Sequence, residues 1–77
     1  MNNANRKRLE EATTLINQAL EIITEIKDDE EEKFYNLPES LQSSENGEKM
    51  QQGIEHLEEA ISAIEDSVIE ALEFASE

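Results

Sequence analysis

The chain has 77 residues, with 20 Asp and Glu against 6 Lys and Arg and a formal net charge of -14. That length allows one domain with a small core, the kind that often relies on a metal, disulfides or self-association, and the absence of Cys excludes disulfides and thiolate metal sites. The acid excess repels nucleic acid and anionic membrane over most of the surface. No stretch approaches the roughly 18 to 20 apolar residues of a membrane span, and the start "MNNANRKRLEEATT" has no apolar run after its basic residues, so neither membrane nor leader is expected and the cytoplasm is.

Leu9, Ala12, Ile16, Ala19, Ile23 and Ile26 step by three and four residues, which predicts a first helix over about 5–34 with these side chains as its seam. Leu15 and Ile22 widen the apolar face on one side and Leu20 on the other, so the face is broader than one partner seam requires. Ahead of it lies the only basic cluster, Arg6-Lys7-Arg8. The helix runs into five consecutive acids, Asp28 to Glu32. They oppose the helix dipole and are expected to weaken that end. The run lacks the alternating ligands and the turn glycine of an EF-hand loop, so no metal or other cofactor is expected there.

Residues 35–44 read as a structured bend. Phe34 and Leu37 are expected to plug the end of the molecule, and Tyr35 to pack its ring while its hydroxyl stays wet. Asn36 is the expected N-cap of a short turn, with Glu39 reaching back as in a capping box and Pro38 in the first turn. Leu41 is expected to point inward with Leu37. Ser43 or Ser44 then caps the second helix, with Glu45 and Glu48 favourable near its start. Asn46-Gly47 looks like a turn signal at that boundary.

From there Met50, Ile54, Leu57, Ile61, Ile64, Val68, Ala71 and Ala75 recur at alternating intervals of four and three. This heptad pattern predicts a second long helix over about 45–76. Glu55, Glu58, Glu59, Glu65, Asp66, Glu70 and Glu73 lie on its flanks and back. His56 is the only histidine and has Glu59 three residues on; the Glu-x-x-His of di-metal bundles fails because residue 53 is Gly.

The expected fold is therefore all-α, a two-helix antiparallel hairpin forming one domain over 1–77. Arg6-Lys7-Arg8 would sit beside Glu70, Glu73 and Glu77 and help set that pairing. Such a hairpin has one wet seam and leaves Leu15, Leu20, Ile22, Ile69, Leu72 and Phe74 outside it. Self-association into a four-helix bundle or a larger helical oligomer is the expected remedy, with a homodimer the simplest case. The chain offers no phosphate loop, no Cys and no second His to activate a Ser, so no enzyme activity is expected.

The stretch "EEEKFYNLPESLQSSENGEKMQQGIEHLEEAISAIEDSVIEAL" resembles a group of small acidic proteins encoded by bacteriophages and prophages, chiefly of Gram-positive hosts. The shared features are Phe34, then Asn36-Leu37-Pro38-Glu39, Leu41-Gln42, Ser44-Glu45, Gly47-Glu48 and Met50, followed by an acidic amphipathic helix. The resemblance implies a phage accessory role exercised by binding, in the cytoplasm of a bacterial host cell, and implies no catalytic mechanism.

Three functions fit these residues. In the first, the carboxylates Glu55, Glu58, Glu59, Glu65, Asp66, Glu70 and Glu73 imitate a row of phosphates and cover a basic surface of a host protein, inhibiting or redirecting it. In the second, an oligomer acts as a sponge for a small signalling nucleotide in evasion of host defence. Phe34, Tyr35 and Asn36 would then hold its base, and Arg6 or Arg8 of a neighbouring subunit its phosphate. In the third, the bundle is a structural adaptor.

Overall fold

Helix covers 88% of the chain and no strand is present. The computed structural model describes every residue from 1 to 77. The first helix, α1, runs Asn3–Tyr35, starting two residues before the predicted boundary and ending one beyond it. Asn2 is its N-cap, accepting from the backbone N–H of Asn5 at 2.7 Å, which satisfies one of the donors a helix start leaves free. The acidic run does not end α1. Lys27 Nζ lies 3.1 Å from Asp28 and 3.5 Å from Glu31, and Lys33 Nζ lies 3.3 Å from Glu30. These two lysines bracket the acids, and Lys33 stands in the last turn where the dipole favours a cation.

The bend departs from its prediction in its details. Asn36 is the C-cap of α1, its N–H donating to the Glu32 carbonyl at 3.0 Å, rather than the N-cap of a following turn. The short α2, Glu39–Gln42, is capped by Pro38 with no side-chain hydrogen bond, so the Asn36–Glu39 capping box does not form. Instead the Pro38 carbonyl accepts from the N–H groups of Leu41 and Gln42 at 2.8 and 3.1 Å. Leu37 is half-buried but Leu41 is exposed, so the expected inward pair is absent. The bend is closed by Gln42 Nε2, which donates to the Leu37 carbonyl at 3.0 Å.

Ser44 caps α3, Glu45–Ala63, accepting from the Gly47 N–H at 3.2 Å while its own hydroxyl donates to the Leu41 carbonyl. Gly47 is buried and helical and has no positive φ, so it serves no turn. Its role is close approach. A Cβ there would lie 2.5 Å from the Leu41 carbonyl oxygen and closer still to that of Gln42.

After α3 the helix continues without a break through a π-helical stretch, Ile64–Ile69, into α4, Glu70–Ala75. Ile64 and Ile69, at the two joints, both keep right-handed helical angles. The predicted second helix is thus one rod with a wide turn inside it, and that turn changes which residues form the seam. Met50, Ile54, Leu57, Ile61 and Ile64 are buried or half-buried, as the heptads require. Strict heptads would continue with Val68, Ala71 and Ala75, but all three are exposed, and Ile69, Leu72 and Ser76 take their place. A π turn accommodates one extra residue, which moves the larger Ile69 and Leu72 into line.

The α1 seam also differs from its prediction. Leu9, Thr13, Ile16, Leu20, Ile23, Lys27, Glu30 and Phe34 are buried or half-buried, again at alternating steps of four and three. The predicted seam shares Leu9, Ile16 and Ile23 with this one, and its Ala12 is half-buried beside it, but Ala19 and Ile26 are exposed. Two heptad lines pass through the same three residues, and the line carrying Leu20 encloses more apolar surface at its centre than the line carrying Ala19. Thr13 is tolerated because its hydroxyl donates to the Leu9 carbonyl at 2.9 Å. Leu20, Ile69 and Leu72, expected outside the seam, therefore belong to it.

Residues far apart in sequence meet along the length of the molecule. Arg6 Nε donates to the Ser76 carbonyl at 3.1 Å. Leu9 and Thr13 share a concavity with Leu72, Leu20 and Thr24 share one with Glu65, and Phe34 shares one with Ile54. Arg6 thus meets a helix-terminal carbonyl, where the dipole is negative, in place of the expected pairing with Glu70, Glu73 or Glu77. Every ion pair in the structure lies within one helix. The molecule measures 58 × 16 × 12 Å, and only Phe34 and Ile54 form a buried apolar core.

Candidate functional site

Heptad positions translate the seams into faces. With Thr13, Leu20, Lys27 and Phe34 at a, and Leu9, Ile16, Ile23 and Glu30 at d, the b and e positions of α1 are Lys7, Glu10, Thr14, Asn17, Glu21, Thr24, Asp28, Glu31 and Tyr35. In α3 and beyond, the same positions hold Glu48, Gln51, Glu55, Glu58, Ser62 and Glu65, and after the wide turn Glu70, Glu73 and Glu77. The concavities between α1 and the downstream helices are lined from these two sets. One holds Glu31, Tyr35, Gln51, Glu55 and Glu58, another Glu21, Thr24 and Glu65, a third Glu10, Thr14 and Glu73. Carboxylates from both halves of the chain therefore share one flank.

Of the acids singled out from sequence, Glu55, Glu58, Glu65, Glu70 and Glu73 fall on this flank. Glu59 and Asp66 fall at f, on the back of the rod. Glu10, Glu21 and Glu31 from α1 do not stand out in the sequence, because a face spanning two helices is visible only once the α1 seam is known. No group of three or more His, Cys, Asp or Glu side chains is arranged so as to hold a metal ion. His56 Nδ1 lies 3.4 Å from Glu59, with both side chains open to solvent.

At the bend end of the acidic flank, the Phe34 and Tyr35 rings meet edge to face at 5.4 Å. Phe34 is buried and Tyr35 is 71% exposed. The concavities at these rings are lined by Glu31, Glu55 and Glu58 on one side and Glu39, Glu48 and Gln42 on the other. Arg6 is at the opposite end, held by Ser76 and by Asn3 Oδ1 at 3.2 Å, and Arg8 is two residues along α1. One chain thus does not bring Arg6 or Arg8 to Phe34, Tyr35 and Asn36. Lys33 adjoins Phe34 but is paired with Glu30, and Lys27, further back on α1, has a side chain only 20% accessible. The hydrogen bond its ammonium group donates to Asp28, with the added pull of Glu31, holds that group above the usual lysine range against a smaller opposing effect of desolvation.

The g and c positions give the other flank a different character. In α1 these are Ala12, Leu15, Ala19, Ile22 and Ile26, with Leu15 65% and Ile22 57% exposed. In the downstream rod they include Gly53, Ala60, Ala63, Val68, Ala71 and Ala75. Among twenty acids only Asp29 occupies such a position, whereas Arg8, Lys33, Lys49 and His56 all do. Phe74, also exposed, is at f and belongs to neither flank.

No family model matches the chain. Neither a curated protein nor a solved structure is significantly similar to it.

Proposed function

We propose that the protein is an antiparallel helical hairpin that self-associates into a helical bundle and acts as a non-catalytic, phage-type accessory protein. Its acidic flank covers a basic surface of a host protein, one that otherwise holds nucleic acid, and so inhibits or redirects that protein. The hairpin is supported by the pairing of Arg6 with residue 76 and of Phe34 with Ile54 at opposite ends. The binding reading rests on one observation: Glu10, Glu21 and Glu31 from α1 line the same concavities as Glu55, Glu58, Glu65 and Glu73.

Carboxylates carried on two adjacent antiparallel helices concentrate negative field on one flank. Such a field steers a basic partner and speeds its arrival, and it weakens as salt screens it. Tyr35, backed by the buried Phe34, adds an exposed ring where an arginine of the partner would stack between ring and carboxylate. The same carboxylates disfavour the nucleotide sponge, because a phosphate near Tyr35 would meet Glu31, Glu55 and Glu58.

The test is capture of a host protein from bacterial lysate by the wild type and by a variant carrying Glu55→Gln, Glu58→Gln, Glu65→Gln and Glu73→Gln. The expected partner is released by raised salt, is displaced by duplex DNA and is not retained by the variant. Equal capture by both proteins, or binding indifferent to salt, refutes mimicry.

A further inference from the structure

We propose that the acid-poor flank centred on Ala19 is the surface on which a second copy of this chain docks, with a molecular two-fold axis passing close to Ala19. The inference rests on the hairpin proposed for this chain and adds which face pairs, in what register and with what symmetry.

The exposed area exceeds that of a compact chain. A folded monomer of 8.8 kDa is expected to expose about 4,800 Å². This chain exposes 5804 Å². The excess of about 1,000 Å² is close to the roughly 800 Å² that each partner buries in a standard stable interface. The shape agrees: the radius of gyration is 17.2 Å, against about 11.5 Å for a compact chain of this length. A second hairpin laid on one flat side would double the thin dimension and leave the length unchanged.

Charge selects the side. Two copies bring together a net charge of -28, twice the -14 of each chain. Packing through the b/e flanks would place their carboxylates face to face. Packing through the g/c flanks directs nearly all of them outward, leaving Asp29 among the basic Arg8, Lys33, Lys49 and His56. Only one of the two flat sides is therefore electrostatically open to a copy of itself.

Self-complementarity sets the register. A two-fold interface requires that if residue i meets residue j, then j meets i. The stripe Ala12, Leu15, Ala19, Ile22, Ile26 has steps of three, four, three and four and is almost symmetric about its central alanine. Two α1 helices crossing antiparallel at Ala19 would set Ala12 against the partner's Ile26 and Leu15 against the partner's Ile22. Small side chains would face large ones at the ends, and the axes would approach closely at the centre, as interdigitation in a bundle requires.

The natural absence of cysteine makes the test clean. Native mass and sedimentation of the wild type should give twice 8.8 kDa, and Ile22→Glu should raise the dissociation constant at least tenfold. Because that substitution can cost the fold together with the partner, Ala19→Cys supplies a second readout: under mild oxidation it should form a covalent dimer, whereas Glu58→Cys on the acidic flank should not. A third variant, Thr13→Cys with Leu72→Cys, should close an internal disulfide within one chain. A wild type of single-chain mass overturns the proposal, including the case of a monomer that captures a host protein through Ile22. Cross-linking at Glu58→Cys but not at Ala19→Cys overturns it as well. If the internal pair closes and Ala19→Cys does not, the hairpin stands and this docking surface falls; if neither closes, the hairpin falls and takes the inference with it.

Discussion

The two glycines of this chain should respond to alanine with opposite signs. Both are helical, so an intrinsic gain of about 0.8 to 1 kcal/mol is the most available to each. At Gly53 a Cβ meets no atom within 4 Å, so Gly53→Ala should realise that gain. At Gly47 the Cβ would press on the Leu41 and Gln42 carbonyls and come within 2.6 Å of the Gln42 carbonyl carbon. These are backbone atoms of a bend already held by Ser44, Gln42 and Pro38, so no flexible side-chain end can give way. Overpacking of this kind costs about 1 to 3 kcal/mol. Gly47 also stands in the first turn of α3, where the propensity gain is smaller, so Gly47→Ala should destabilise by about 1 to 2 kcal/mol. For a domain of this size, 1 kcal/mol corresponds to roughly 4 to 8 °C in Tm. Thermal unfolding followed by circular dichroism at 222 nm, at one fixed chain concentration because assembly raises Tm, should show Gly53→Ala melting above the wild type and Gly47→Ala below it. If Gly47→Ala melts at or above the wild type, the account of Gly47 as a close-approach residue is wrong.

Ser44→Ala removes both the cap of α3 and the hydroxyl bond to Leu41, and should cost about 1 kcal/mol in urea denaturation; a neutral result would mean that α3 starts without it. Lys27 gives a pH dependence with a definite sign. Its folded-state pKa is raised, so its contribution is fully present below the unfolded lysine value of about 10.4 and is lost as pH rises through the folded value. Stability measured across that alkaline window should fall in the wild type, and the Lys27→Met variant should lack that component of the fall.

The helix boundaries and the heptad rhythm were legible because periodicity depends on local spacing alone. Which heptad line becomes the seam was not. Leu9, Ile16 and Ile23 serve two lines equally, and the choice between Leu20 and Ala19 is made only when a second helix must be covered. The acidic flank was half legible for the same reason: Glu55, Glu58 and Glu65 are set by the rhythm of one helix, whereas Glu70 and Glu73 reach the flank only through the wide turn, and Glu10, Glu21 and Glu31 only through the α1 seam. Asn36 misleads because a residue suited to starting a turn also suits the end of the preceding helix. Asn46-Gly47 imitates a turn because sequence shows what glycine permits, not which backbone lies against it.

The π-helical stretch offers the sharpest test of how pattern and packing compete. The sequence repeats without error through Val68, Ala71 and Ala75, yet the structure abandons that line for Ile69, Leu72 and Ser76. If the reason is that Ile69 and Leu72 enclose more apolar surface than Val68 and Ala71, then the extra residue in the wide turn is there only to correct the phase. Deleting Asp66, an exposed residue inside that turn, should remove the need for it. Ile64 and Ile69 would then stand four residues apart, and regular α-helix alone would carry Leu72 and Ser76 into the seam. A deletion within a regular helix shifts everything beyond it by about 100°, so deleting Glu58 from α3 should be severely destabilising. Deleting Asp66 should instead leave Tm equal to or above that of the wild type, with helical circular dichroism retained. Equal damage from both deletions would show that the π turn does not serve the register, and that Val68 and Ala71 yield their places for some other reason.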